Sequence, residues 1–575
     1  VSGDIGADLG QRVVTAVQNA FSVDCTIEDA AVRPSQREGV DYQINAAMAL
    51  AKRLRRPSRE IAAEIASHLE MGAMARTVDV AGPGFINITL SDTWIGEHTA
   101  RLAADSRLGY RPAAPQRIVI DYSSPNMAKE MHVGHLRSTI IGDALVRLFE
   151  FAGHEVVRQN HLGDWGTPFG MLVEHLVDEG LDRQEFSISD LNEFYREARE
   201  KFDGVEGFAD RARARVVALQ AGDPDTLDLW DRLLGESKRH IEDVYELLGV
   251  KLGPGDYKGE STYQPVLGDV ADELLRRGLA EWSEGALCVF LEGFTGRDGD
   301  PLPLIVRKRD GGYGYDATDL ATIRYRAQDL KGDHLVYVVG SPQAQHFALI
   351  FAAARKAEWI SPETTTTHVG FGSVLGQDGK ILRTRAGASL KLTDLLEEGV
   401  QQAAAVIADR TDLNEGERAE IARAVGIGAI KYADLSTDRI KDYVFDWDRM
   451  LAMEGNTAVY LQYALARIRS IMRRAQAVPE LGAPVAVGEG AERDLALVLA
   501  RFPDAVDTAL RHLQPHRLAT YLFELATTFS SFYENCPVLK SEGTVRQSRL
   551  ALAAHTAAVL ERGLGLLGID APERL

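Results

Sequence analysis

The sequence predicts a multidomain α/β and all-α protein. A small α+β domain comes first, a parallel-sheet α/β core with a helical insertion follows, and a helical bundle closes the chain. Three observations predict this. The 575 residues suffice for roughly four domains. A strand–helix–strand succession runs from Ile118 to Arg158, the signature of a parallel sheet. After Leu390 nearly every segment repeats its apolar residues at helical spacing. A composition of 45% hydrophobic and 26% charged residues excludes disorder, collagen-like repeats and a small disulfide scaffold.

The elements follow in order. Ala46–Leu54 and Arg59–Leu69 have helical periodicity, with Pro57-Ser58 as stop and cap. Gly82-Pro83-Gly84 turns into Phe85–Leu90, an alternating strand, and Arg111–Pro115 is the linker. Ile118–Tyr122 is a short buried strand, a helix runs from about Val133 to Ala152 and stops at Gly153, and Glu155–Arg158 is the next strand. From about 178 the chain becomes helical and highly charged. Strands return at Leu304–Val306, His334–Val339 and His368–Val374. The expected boundaries are 1–112, 113–395 (with a helical insertion over about 178–300), 396–443 and 444–575.

The charge, 64 − 84 = −20, argues against a nucleic-acid partner, which a basic balance usually betrays. It is a global sum, however, and a basic face can hide inside it. The three cysteines, Cys25, Cys288 and Cys536, are far apart, which predicts a reducing, cytoplasmic compartment. No apolar run is long enough for a membrane span, and the acidic start does not read as a signal peptide.

The segment Asp121–Thr139 leaves a strand and opens a helix, where α/β sheets bind anions and nucleotides. His132 and His135, three apart, share a helical face, and Gly134 removes a side chain between them. Two imidazoles there can donate to charge developing on a transferring phosphoryl group. The same spacing also suits a solvated pair, or a metal half-site completed by His154 and His161. No Cys or carboxylate cluster stands at ligand spacing to complete such a site.

This segment resembles the "HIGH" signature of class I aminoacyl-tRNA synthetases, in the extended form of the arginyl-tRNA synthetases. The likeness continues through Leu136–Asp143, Asn160–Gly166, Asp41–Asn45, Ala81–Asn87, Asp310–Tyr315, Tyr432–Ser436, Phe445–Asp448 and Gly455–Ala458. It implies a Rossmann-type catalytic core, a helical stem over 396–443 and an anticodon-binding bundle over 444–575. The implied reaction joins L-arginine to tRNA(Arg) through arginyl-adenylate. ATP is a substrate that brings Mg²⁺, with no tight structural metal, no membrane association and a monomeric state.

The resemblance also implies roles for individual residues. His132 and His135 would be catalytic and bind ATP with Gly134. Lys129 would replace the lysine missing from the second class I signature, "KMSKS". In place of that signature stands Gly376–Gly387, where Lys380, Arg383 and Arg385 keep the positive charge. Asp319 would take the guanidinium, with Tyr315 and Gln343 beside it, and Asp121, Ser123 and Asn126 would hold the amino-acid end. A planar guanidinium demands a carboxylate, but Asp319 also reads as a helix cap or first-turn acid, and Gln343 as a polar loop residue.

In the last domain, Tyr460, Tyr463, Arg467 and Arg474 fall on one helical stripe, and no acid occurs over 460–474. Rings and guanidinium planes suit unpaired bases, and a solvated helix face is the alternative. The resemblance makes this the anticodon-binding helix, and implies that the N-terminal domain, through Tyr42 and Asn45, contacts the tRNA elbow. Lys52–Arg59 is a second acid-free basic run.

Overall fold

The computed structural model describes residues 4–181, 191–296, 298–383, 390–408, 413–476 and 479–575. The chain divides into two compact units: Val1–Ala113 with Ala452–Leu566 and Asp570–Leu575, and Ala114–Leu451 with Leu567–Ile569. The expected N-terminal domain and terminal bundle thus fall in one unit.

The larger unit is built on four parallel strands, in the order Thr365–His368, His334–Tyr337, Arg117–Asp121 and Glu155–Gln159. Ile118, Val119 and Ile120 are fully buried, the continuous apolar run a strand covered on both faces requires. From Arg117–Asp121 the chain moves to one neighbour, Glu155–Gln159, and later returns to the other, His334–Tyr337. That reversal opens a crevice at the carboxyl ends of the strands, where open α/β sheets hold ligands. Asp121 pairs in register with Tyr337 and Gln159 and marks the place. Helix Val133–Phe151 follows the first strand, and helix Ala344–Lys356 follows His334–Tyr337.

Two strand expectations change. His368–Val374 is not one strand: Thr365–His368 joins the parallel sheet and Val374–Leu375 pairs with Tyr443–Val444. The insertion is helical at Leu191–Gly204, Phe208–Ala221 and Pro224–Leu248. Its end is not helical: Glu281–Ser283 and Ala286–Thr295 form an antiparallel sheet completed by Pro301–Arg307, which contains the expected strand Leu304–Val306. Glu284 and Gly285, with φ of 49° and 84°, make the doubly left-handed turn that matches the twist of a tight hairpin.

In the other unit, an antiparallel sheet runs Val32–Pro34, Tyr42–Ile44, Phe85–Leu90, Ala75–Ala81. Ser58 does not cap its helix. Its hydroxyl donates to the Pro83 carbonyl, and Pro57 holds the cap position. The bundle helices are Ala458–Ala475, Gly490–Leu499, Phe502–His512, His516–Asn535 and Gly543–Leu566. Arg493 on the second of these forks onto Asp41 (2.6 and 2.7 Å) and reaches Asp92 (2.7 Å), tying the bundle to the sheet domain.

Candidate active site

The chain leaves strand Arg117–Asp121 through Ser123 and Ser124, two successive non-glycine residues in the left-handed region (φ 71° and 47°). Such conformations persist only where the surroundings enforce them. Here buried Asn160 accepts from the Ser124 amide at 3.0 Å, and Ser138 Oγ accepts from the Ser123 amide at 2.9 Å. The Ser123 hydroxyl is turned inward, onto Tyr245 Oη (2.7 Å) and Thr139 Oγ1 (2.9 Å). The side chain predicted to touch the amino acid is therefore a support of the turn.

His132 and His135 cap their helix reciprocally. The Gly134 amide donates to His132 Nδ1 at 3.0 Å, and the His132 amide donates to His135 Nδ1 at 3.1 Å. Burial and the Lys129 charge lower the His132 pKa, and burial with His132 lowers that of His135 to about 3. Both rings are neutral near pH 7. Because each Nδ1 accepts a backbone proton, each Nε2 carries the ring proton and is a donor. The ring centroids are 4.1 Å apart. A side chain at Gly134 would put its Cβ 2.7 Å from His132 Cε1, so glycine keeps that ring in place.

A second group of side chains lines the same sheet end. Helix Tyr315–Gln328 begins after Gly314, so Asp319 is beyond the first turn and is not a cap; Asp316 is the first-turn acid. Asp319 Oδ2 lies 2.6 Å from His346 Nε2, and His346 Nδ1 is 3.5 Å from Asp316. The Asp319 hydrogen bond raises the His346 pKa. Sequence reasoning missed Glu260. Burial and the neighbouring carboxylates of Asp164 and Asp319 push its carboxyl up to about 8. Tyr315, 75% exposed, has its phenol raised by partial burial and by Glu260 and Asp319. Only burial and proximity distinguish Glu260, and neither is visible in a sequence.

Asp121 is already engaged: Arg326 Nη1 lies 2.9 Å from Oδ2, and the Ser124 hydroxyl donates to Oδ1 at 2.8 Å. Asn126 is exposed and its Oδ1 accepts from the Ala128 amide at 2.9 Å. Gln343 is exposed at the end of a 3₁₀ turn. Lys380 and Arg383 are exposed, and Arg385 lies outside the described residues. Lys129 Nζ sits 4.3 Å above the ring of Tyr195.

Among the predicted RNA contacts, Tyr42 is corrected. It is 5% exposed, and burial raises its phenol above the ordinary range, so it is a core residue of its sheet. Asn45 is half-buried, and its Oδ1 finds no partner among the described residues. Tyr463 is exposed, Tyr460 packs edge-on to Phe523, and Arg474 is exposed. Arg467 lies 4.5 Å over Tyr533, a ring on helix His516–Asn535 that the sequence did not single out.

Comparison with known proteins bears on all three parts of the chain. Residues 98–447 match the family described as tRNA synthetases class I (R), catalytic domain. Residues 461–575 match the DALR anticodon binding domain, and residues 7–90 the arginyl tRNA synthetase N terminal domain. The chain is 55% identical to an arginine–tRNA ligase of Thermobifida fusca over 99% of each chain. It is 52% identical to the one of Frankia casuarinae over 95% of each. The crystal structure of arginyl-tRNA synthetase from Plasmodium falciparum superposes with a TM-score of 0.87 at 31% identity, over the whole of both chains. With a class I sheet crevice, a neutral histidine pair at its mouth and relatives of this identity along its full length, the chain belongs to the arginyl-tRNA synthetase family.

Proposed function

We infer that the chain is an arginine–tRNA ligase. The carboxylate of L-arginine attacks the α-phosphorus of ATP and pyrophosphate leaves, giving arginyl-adenylate. A hydroxyl of the terminal adenosine of tRNA(Arg) then attacks the arginyl carbonyl, AMP departs, and the hydroxyl proton is released. One observation carries the reading: two neutral Nε2–H donors stand at a sheet crevice that also holds an acidic pocket.

On this reading His132 and His135 donate to the α-phosphate as its charge grows, which requires positioning and no covalent protein intermediate. Lys129, Lys380, Arg383 and Arg385 bear on the triphosphate, whose Mg²⁺ arrives with it. Asp319 and Glu260 face the guanidinium, with Tyr315 and Gln343 beside them. A substrate cation displaces His346 from Asp319 and draws the proton from Glu260. Asn126 takes the amino-acid end, while Asp121 acts there through Arg326.

Tyr463, Arg467 with Tyr533, and Arg474 offer stacking planes to the anticodon loop. Asn45 Oδ1, without a partner among the described residues, is buried, so the elbow contact falls to the surface of the N-terminal domain around it. No described helix is long and apolar enough to cross a membrane. The three cysteines are free, which suits a reducing, cytoplasmic compartment, and the chain is taken to act as a monomer. Arginine-dependent ATP–pyrophosphate exchange, run with and without tRNA, tests the reading. Exchange should need arginine and tRNA together; equal exchange with lysine or cysteine overturns the specificity.

A further inference from the structure

Two helices of the insertion touch the signature segment: Tyr245 of Pro224–Leu248 meets Ser123, and Leu191–Gly204 meets Lys129 and Glu130. Leu191 and Tyr195, a turn apart on helix Leu191–Gly204, share a face. Glu130 accepts the Leu191 amide at 3.1 Å, and Asn192 Oδ1 accepts the Glu130 amide at 3.1 Å. Glu130 also binds Lys391 Nζ at 3.2 Å. Lys391 belongs to the stretch that follows the Lys380 loop and hydrogen-bonds the signature segment through Leu390 and Leu392. One residue further back, Lys129 places its ammonium over the Tyr195 ring while its charge still reaches His132. Among the described residues no carboxylate pairs with Lys129.

We propose that Tyr195 is a positioning residue: its ring holds the Lys129 ammonium beside the histidine pair, so that the insertion completes the phosphate site. The choice of partner has a physical reason. A lysine side chain carries large rotamer freedom, so an unheld ammonium spends little time at any one point. A carboxylate would hold it but neutralise the charge that the phosphates need. An aromatic face holds a cation electrostatically and leaves the charge and its N–H donors free.

The inference rests on the site being the ATP phosphate site, and the test separates the two. Aminoacylation and tRNA-dependent exchange are measured for the unaltered chain, Tyr195→Phe, Tyr195→Leu, Lys129→Met and the double variant Lys129→Met/Tyr195→Leu. An unaltered chain without arginine-dependent exchange ends the ligase reading itself. On an active chain, Tyr195→Leu should lower kcat by about 3- to 10-fold, the range of a partly exposed cation–π contact. It should leave the KM for arginine unchanged, and Tyr195→Phe should restore most of the rate. Lys129→Met should cost more, and adding Tyr195→Leu to it should cost nothing further, because the ring acts through the lysine. Losses that add in the double variant overturn the proposal. So do equal losses in the Phe and Leu variants, a rise in the arginine KM that matches the fall in kcat, or an unaffected Lys129→Met.

Discussion

At the scale of single residues, chemistry here is set by what each group is denied. Glu260 is shielded from water and placed near two other carboxylates, so it holds a proton up to about pH 8. A guanidinium entering beside it favours the ionised form, so binding releases that proton. The sign follows. Arginine affinity should rise with pH to about 8 and level off above, weakening by about tenfold per pH unit below. Protonated His346 held on Asp319 competes in the same direction, while Asp164, Asp316 and Tyr315 surround the same pocket. Titrating arginine binding from pH 6 to pH 9 by calorimetry checks this, and Glu260→Gln should flatten the slope. Asp319→Asn should raise the KM for arginine by about 10- to 100-fold, the worth of a charge-assisted hydrogen bond, and barely move that for ATP. An unmoved arginine KM would return Asp319 to a structural role.

At the scale of elements, the histidine helix is anchored to the stem by a buried pair. Arg137 (1% exposed) meets Asp434 at 3.1 Å and donates to the Lys441 carbonyl at 2.8 Å, with the Tyr443 ring 5.3 Å from its guanidinium carbon. Next to Lys441, Asp442 accepts the Ser373 amide at 2.6 Å, on the segment leading to Lys380. Arg137→Leu leaves Asp434 buried without its cation, a loss of about 3–5 kcal/mol. Denaturant unfolding should show a lower midpoint, with Asp434→Asn in the same background recovering part of it. The elements legible in the sequence are those whose signal is local. Phe85–Leu90 alternates, Ile118–Tyr122 is a continuous apolar run, and Val133–Phe151 keeps one period to its glycine stop. The hairpin over 281–295 falls inside the expected helical insertion because its turn is set by a left-handed Glu284, a residue that does not advertise one, whereas the strand at Leu304–Val306 is legible. Glu260 and Tyr195 were illegible for another reason. Each acts across the fold, on partners far away in sequence.

At the scale of the whole molecule, the net charge of −20 coexists with RNA binding only if cations are gathered locally. The sequence suggests two acid-free runs, and folding thins both. Arg56 pairs with Glu64 and Arg53 donates to the Asp24 carbonyl, leaving Lys52, Arg55 and Arg59 without carboxylate partners among the described residues. Arg469 turns to the Ala571 and Pro572 carbonyls and to Glu561. The cations that remain give few phosphate contacts, so log Kd for tRNA should rise with log salt at a slope of about 0.7 to 0.9 per contact. Arg467→Ala should weaken tRNA binding without changing the KM for ATP. The Arg493 fork carries a consequence for this economy. It fastens the sheet domain to the bundle that bears Arg467, so on the proposed contacts capture of the RNA by one would make its encounter with the other intramolecular. Two weak grips would then act as a single avid one, through local concentration and without any added charge. Cutting the fork with Arg493→Ala should cost tRNA affinity while both patches stay chemically intact.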